Sequence, residues 1–405
     1  MIETFAGGRV RSWASLLDDL TRAQAETTAR LPILAGPIAL MPDAHLGKGA
    51  TIGSVIPTDA AVIPAAVGVD IGCGMAARKL ALVADHLPDD LSPWVALMRS
   101  HVPAGLGRWH REPSAEAREW FEREPPPPTL EHPERAASQL GTLGSGNHFI
   151  ELAVDGTGHV WILLHSGSRG GGNRLAVLHM RAARRLHERL DTPLEDPDLA
   201  WLQEGTPEFE AYIRDLRWSQ AFAAENRRLL LRSTQAQLEA VIGSSVDVQD
   251  EVDCHHNFSE QEQHDGRAMW ITRKGAIRAR VGDRGLVPGS MGQASFVTRG
   301  LGDTASYESS AHGAGRLMSR RAARRTLSSE SLIEVMGRAA WQSEEAEALL
   351  DEHPEAYKPL DVVMRDQADL VEIEHELHAI ANYKGAERQR GDRRARRASI
   401  PRSPP

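Results

Sequence analysis

Apolar residues recur every three to four positions through residues 173–190 and 207–241, which predicts two long amphipathic helices. A shorter stretch of the same period predicts a helix at about 14–30. The runs ILAGPIAL, TIGSVIP and AARKLALV, at 33–40, 51–57 and 76–83, are aliphatic segments between glycine turns and predict strands. GHVWILLHSGSRGGGN reads as a buried strand ending in a glycine-rich turn at 166–172, and strands alternate with turns over 268–292. In GAGRLMSRRAARRTL a helix is expected to start at the residue after His312, and the remainder is expected to stay helical to about Asn382. Between 109 and 137 the chain is charged and holds four consecutive prolines, which a continuous core element does not tolerate, so a surface excursion or lid is expected. No repeat of fixed period and no clean linker divides the chain. The expected fold is α+β, a single large mixed domain over 1–385 with a β-rich core and helices packed outside, followed by a tail at 386–405.

Composition narrows this picture. With 405 residues, 41% of them hydrophobic, the chain can bury a substantial core, which excludes wholesale disorder. It has no apolar run of about 18 residues and no basic start leading into an apolar segment, so no membrane span is expected and the expected location is cytoplasmic. The two cysteines, Cys73 and Cys254, make no disulfide framework and are expected to be reduced. A net charge of −9 argues against a protein that coats nucleic acid nonspecifically. That charge is segregated: 386–405 carries seven arginines against Glu387 and Asp392, a net of +5 that leaves −14 on the rest. The tail is expected to be disordered.

Candidate chemistry is concentrated on glycine turns. Asp70 and Cys73 lie three residues apart in GVDIGCG; Asn147, His148 and Glu151 share GSGNHFIE; His165 lies in LLHSGSRG; Cys254, His255 and His256 form DCHHNF. Each segment alone fits a polar turn, but four of them in one chain suit a cation site assembled from distant strand ends. The mixture of thiol, imidazole and carboxylate admits zinc or manganese. HSGSRGGGN with Arg169, and LVPGSMGQAS with Ser290 and Ser295, supply backbone N–H groups suited to phosphate, although neither is a Walker loop. In SSAHGAGRLMSRRAARR, His312 precedes Arg316, Arg320 and Arg321. A neutral imidazole there could attack an α-phosphate and, once protonated, leave again in a relay.

The motifs MPDAHLGKGATIGSVIP, AAVGVDIGCGM, LGTLGSGNHFIE, LLHSGSRG, CHHNF, ITRKGA, PGSMG, SAHGAGRLMSR and YKG occur in one order from about Trp13 to Gly385. In this the chain resembles the RtcB-type RNA ligases, which join RNA 3′-phosphate or 2′,3′-cyclic phosphate ends to 5′-hydroxyl ends. The resemblance implies the RtcB-type fold around a metal and GTP cleft. It implies two manganese ions held by Asp70, Cys73, His148, His165 and His256, with the cysteine bridging, and His312 as the residue that becomes guanylylated. It further implies that Asn147, Phe149, Glu151, Ser290, Ser295, Tyr357 and Lys384 hold GTP, with Glu151 and Lys384 nearest the guanine. Arg169, Lys274, Arg316 and Arg320 are implied around the RNA phosphate, and Asp43, His45 and Lys48 are expected behind the metal ligands or facing RNA. The implied partners are RNA with those ends, GTP and an archease-like activating protein; the implied roles are tRNA splicing and RNA repair. The arginine-rich tail and the proline-rich excursion are unusual beside that pattern.

Two other readings use the same residues. A metal-dependent phosphoesterase acting on nucleic-acid ends would keep the metal ligands and leave His312 and Lys384 without a task. A noncatalytic RNA-binding protein would treat the Cys and His set as structural.

Overall fold

A computed structural model describes residues 2–385, so the arginine-rich tail expected at 386–405 lies outside the described residues. Two sheets dominate. The larger has seven strands in the order Val248–His255, Gly74–Val83, His159–Ser166, Phe149–Asp155, Val371–Lys384, Ser295–Gly300 and Arg284–Val287. All its pairings are antiparallel. Its two edges approach each other, because Arg284 on one edge donates to both carboxylate oxygens of Asp250 on the other, at 2.8 and 2.7 Å. The sheet is therefore nearly a closed barrel.

Alternation along these strands makes two cores. Met75, Ala77, Phe149, Ala153, Trp161 and Leu163 point inward with Val252, Leu286, Val297 and Leu377. Ala76, Leu80, Ile150, Leu152, Ile162 and Leu164 point outward, under the helix Ser92–His101 and the long helix Pro207–Ile242. The long helix begins at Thr206, whose side chain accepts from Phe209 N, and stops at Gly243 in the left-handed region.

The second sheet has six strands in the order Glu3–Phe5, Val10–Ser12, Ile38–His45, Ile52–Thr58, Arg267–Lys274 and Asn257–His264. His256 lies at the crossover, between the strand Val248–His255 of one sheet and Asn257–His264 of the other. Register then gathers chemistry at one end of the barrel. Gly74 is opposite both His255 and Ser166, His165 is opposite Met75 and Phe149, and Phe149 is opposite Lys384.

The mixed α and β architecture is as expected, with three local corrections. The segment after His312 does not enter a helix at once; the helix is Arg320–Thr326, capped by Ser319. Gly315, at φ +73°, packs against the backbone of Asp43, a contact that leaves no room for a Cβ or for a helical turn. The last segment is helical only to Asp366, and Val371–Lys384 is a strand of 14 residues. Its VEIEHEL start alternates with period two, and this pattern outweighs the helix-favouring glutamates. The glycines at 170–172 form the first turn of the helix Arg169–Arg189 and not a loop.

The charged excursion is fastened down. Its helix Ala115–Arg123 buries Trp120 against Trp218 and Phe222 of the long helix, with ring centroids 5.8 and 5.6 Å apart. Trp218 Nε1 also donates to Glu124 O at 3.3 Å, and Thr129 donates to the buried Asp215.

Candidate active site

Cys73 follows Gly72, which adopts φ +70° and packs against the backbone of Gln220 in the long helix. The turn is closed by Gly72 N donating to Asn257 O at 2.7 Å and Cys73 N to Asp70 O at 3.1 Å. This aims the thiol at a group of imidazoles. Cys73 Sγ is 3.3 Å from His148 Nε2 and 3.2 Å from His165 Nε2. His165 Nε2 is 3.3 Å from His256 Nε2, and His148 Nε2 is 3.2 Å from Asp70 Oδ2.

A carbonyl oxygen only accepts, so the 3.1 Å contact of His165 Nδ1 with Asn147 O puts that proton on Nδ1, while His148 lies between Leu143 O, 3.1 Å from its Nδ1, and the Asp70 carboxylate at its Nε2. The Nε2 lone pair of His165 then faces the thiol. Burial, together with the neighbouring histidines, holds His165 and His256 well below the usual imidazole range. Burial also pushes the Cys73 thiol well up, with Asp70 adding to the effect. Burial works against ionising Asp70, but its hydrogen bond to His148 and the charges of His148, Arg169 and His165 together outweigh that and lower it to about 2. Imidazoles, a charged carboxylate and a sulfur within contact of one another are a donor set suited to a divalent cation. Cys73, His148 and His165 alone bring their ligand atoms within 4.8 Å of one another.

His312 closes the other side. It follows the strand Ser309–Ala311, and its ring centroid is 4.7 Å from that of His256. The backbone N–H of His312 donates to Asp43 Oδ2 at 3.1 Å, and its Nδ1–H donates to the same oxygen at 2.5 Å. Asp43 is fully buried in the strand Ile38–His45, whose backbone is gripped by Lys358 Nζ on Pro42 O and Ala44 O at 2.9 and 2.7 Å. Asp43 therefore fixes the orientation of the His312 ring and leaves Nε2 free of that contact. Sequence reasoning placed Asp43 nearby but did not identify this contact.

A cavity of about 360 Å³ joins these groups to the expected nucleotide and phosphate residues. Asp70, Cys73, Asn147, His148, Phe149, Glu151, His165, His256, Ser290, His312, Arg316, Arg320, Tyr357 and Lys384 all line it, as does His45. Three expected residues do not. Ser295 Oγ accepts from Gly289 N at 3.3 Å and holds the turn beneath. Arg169 lies behind His148, with Nη1 3.3 Å from its Nδ1. Lys274 Nζ donates to Lys48 O at 2.5 Å and Ala65 O at 3.0 Å, buried away from any RNA phosphate; burial lowers it to about 7.

Several organising residues were not anticipated. The carboxylate of Glu352, 4% exposed, takes Lys384 Nζ at 3.1 Å, Arg320 at 3.2 Å and the Tyr357 hydroxyl at 2.9 Å. Glu151 accepts from Asn382 at 2.8 Å, and burial pushes it up to about 7 against that hydrogen bond and the charge of Lys384. Arg227, 0% exposed on the long helix, donates to Gly72 O and Ser166 O at 2.9 and 3.3 Å and to Asp253 at 2.7 Å. Its neighbour Asn226 bonds Gly141 N, Thr142 O and Ser166 Oγ, so two adjacent helical side chains hold three of the ligand-bearing segments. An arginine and an asparagine inside an amphipathic pattern give no sequence signal of that role.

Comparison with known proteins bears on this arrangement. The family model described as tRNA-splicing ligase RtcB matches residues 24–385. The chain is 42% identical over 385 residues to the RNA-splicing ligase RtcB of Escherichia coli strain K12, covering 90% of this chain and 94% of that protein. It is 30% identical over 464 residues to the tRNA-splicing ligase RtcB of Thermococcus kodakarensis, covering 95% and 94%. With the RNA-splicing ligase RtcB of Mycobacterium tuberculosis it shares 29% identity over 424 residues, covering 84% and 94%. Matches that span the barrel, the ligand turns and His312 alike leave no part of the site outside the likeness, and the chain belongs to the RtcB family of RNA-splicing ligases.

Proposed function

We propose that this protein joins RNA 3′-phosphate or 2′,3′-cyclic phosphate ends to 5′-hydroxyl ends, using GTP and two manganese ions, in tRNA splicing or RNA repair. The observation that carries the reading is His312, its Nδ1 held by the buried Asp43 and its ring set beside the Cys73 cluster across one cavity. Asp70, Cys73 and His148 would hold one ion, and Cys73, His165 and His256 the other. Bound there, the ions supply positive charge to phosphate oxygens and to the attacking and leaving groups.

In the first step His312 Nε2 attacks the α-phosphorus of GTP; the N–P bond forms and pyrophosphate leaves. The positive charge gained by the ring is balanced by Asp43, which keeps hold of the Nδ1 proton. An oxygen of the RNA 3′-phosphate then takes the GMP, and His312 departs neutral. The 5′-hydroxyl finally displaces GMP from the capped end. A cyclic phosphate is first opened by hydrolysis. Arg316 and Arg320 face the cavity and balance phosphate charge, while Phe149, Glu151, Tyr357 and Lys384 surround the guanine and Asn147 and Ser290 the rest of the nucleotide. Ser295, Arg169 and Lys274 act from behind, by fixing loops and His148. An archease-like activator and a cytoplasmic site of action belong to the same proposal. Among the described residues, no helix is long and apolar enough to cross a membrane.

Incubation with GTP labelled at the α-phosphate, with manganese, tests the reading. Label should stay on the denatured wild-type protein, be released by acid and survive alkali, as a phosphoramidate does. A metal-dependent phosphoesterase would retain none.

A further inference from the structure

The helix Arg169–Arg189 carries five arginines before its single acidic residue, Glu188. No acidic residue lies between Asp155 and Glu188, in a chain whose net charge is −9. Leu175, Ala176, His179, Met180, Ala183 and His187 are buried along one side. At 3.6 residues per turn, Arg174, Arg181 and Arg185 fall within about 40° of one another on the opposite side. Arg181 and Arg185 are exposed and Arg174 is half-buried.

These three differ from their neighbours in having nothing to bind. Arg184, off the line, pairs with Asp198, and Arg189 pairs with Glu208 at 3.4 Å. Arg174, Arg181 and Arg185 make no hydrogen bond or ion pair among the described residues. Arg174 goes further: its Nε and Nη2 are shielded from solvent without an acceptor, which loses their hydration for no return in this state. An anion would satisfy both once the side chain turned outward to meet it.

The position of the line suggests what that anion is. The helix opens at Ser168, whose N–H and hydroxyl reach Asp70 Oδ1 at 3.0 and 3.3 Å, directly beside the metal-ligand cluster. From Arg174 to Arg185 the line runs outward for about 16 Å at 1.5 Å per residue. We propose that this line is a track for the sugar–phosphate backbone of the RNA substrate as it leaves the active site. Planar guanidinium groups at successive turns suit phosphates spaced along a strand. The inference rests on the family's RNA substrate and on neither GTP nor manganese.

The test compares wild type with a combined Arg174→Gln, Arg181→Gln, Arg185→Gln variant. A second variant, Arg111→Gln, Arg118→Gln, Arg123→Gln, removes three charges from the excursion instead. Binding of a 20-nucleotide RNA with a 3′-phosphate, and separately of one with a 5′-hydroxyl, is measured over a salt series. Each lost single-strand phosphate contact flattens the slope of log affinity against log salt by about 0.7, so the helix variant should lose about two for at least one strand. Its ligation KM for that strand should rise at least tenfold, and the difference should vanish when the strand is cut to two nucleotides. Self-labelling with GTP should be unchanged, which also reports an intact fold. The binding readout needs no GTP, so it is independent of the guanylylation reading. Unchanged slopes for both strands, or an equal loss in the excursion variant, would overturn the track; the first result would leave the line open to an acidic protein partner.

Discussion

At the scale of single residues, the proposed mechanism makes Asp43 the group that fits His312 to act as a nucleophile. An Asp43→Asn variant keeps the size of the side chain and loses the charge that balances the guanylylated ring. Single-turnover labelling of His312 should slow by about two to four orders of magnitude. Sealing of an RNA already carrying the 3′-pp-5′-G cap should stay close to wild type. Equal slowing of both steps would make Asp43 a general scaffold. The candidate ligand residues were legible in the sequence because four turns that combine glycine with thiol, carboxylate or imidazole occur in one chain and the family resemblance singles out Asp70, Cys73, His148, His165 and His256, which do meet. Asp43 and His312 meet across 269 positions, through a close backbone approach at Gly315, and no local pattern announces such a contact. Lys274 shows the reverse: the family resemblance implied it near the RNA phosphate, whereas here its ammonium donates to two backbone carbonyls.

At the scale of elements, the long helix Pro207–Ile242 acts as the clamp of the site. Arg227 is buried and charge-paired, so Arg227→Met removes the cation and leaves Gly72 O, Ser166 O and Asp253 without it. The expected loss is about 3–5 kcal/mol of stability, together with weaker metal binding, because the turns bearing Asp70, Cys73 and His165 lose their common anchor. Thermal unfolding and metal titration of the variant check this, and an unchanged unfolding temperature would contradict it. The two long helices were readable from period, and the strands Ile38–His45, Ile52–Thr58, Gly74–Val83 and His159–Ser166 from aliphatic runs beside glycine turns. The terminal strand Val371–Lys384 was not. Its glutamates favour a helix locally, while its neighbours on the barrel wall demand an extended chain. The position of Lys384 at the ligand end of the barrel depends on that strand.

At the scale of the whole molecule, the barrel, the second sheet and the crossover between them bring residues from Asp43 to Lys384 into one cavity. Such convergence is what the proposed covalent relay would require, with nucleophile, cation ligands and nucleotide pocket held fixed while GMP moves from GTP to protein to RNA. The architecture was legible only as a class, because strand order and barrel closure depend on pairings such as Arg284 with Asp250 that join segments without a shared local signal. The relay itself is open to one decisive measurement, in which His312→Ala is given two substrates in parallel. With 3′-phosphate RNA, 5′-hydroxyl RNA and GTP it should form no protein adduct and no joined product. With RNA already capped as 3′-pp-5′-G it should seal to the 5′-hydroxyl strand at a rate close to wild type. Ligation of the 3′-phosphate strand by His312→Ala at the wild-type rate would contradict the account.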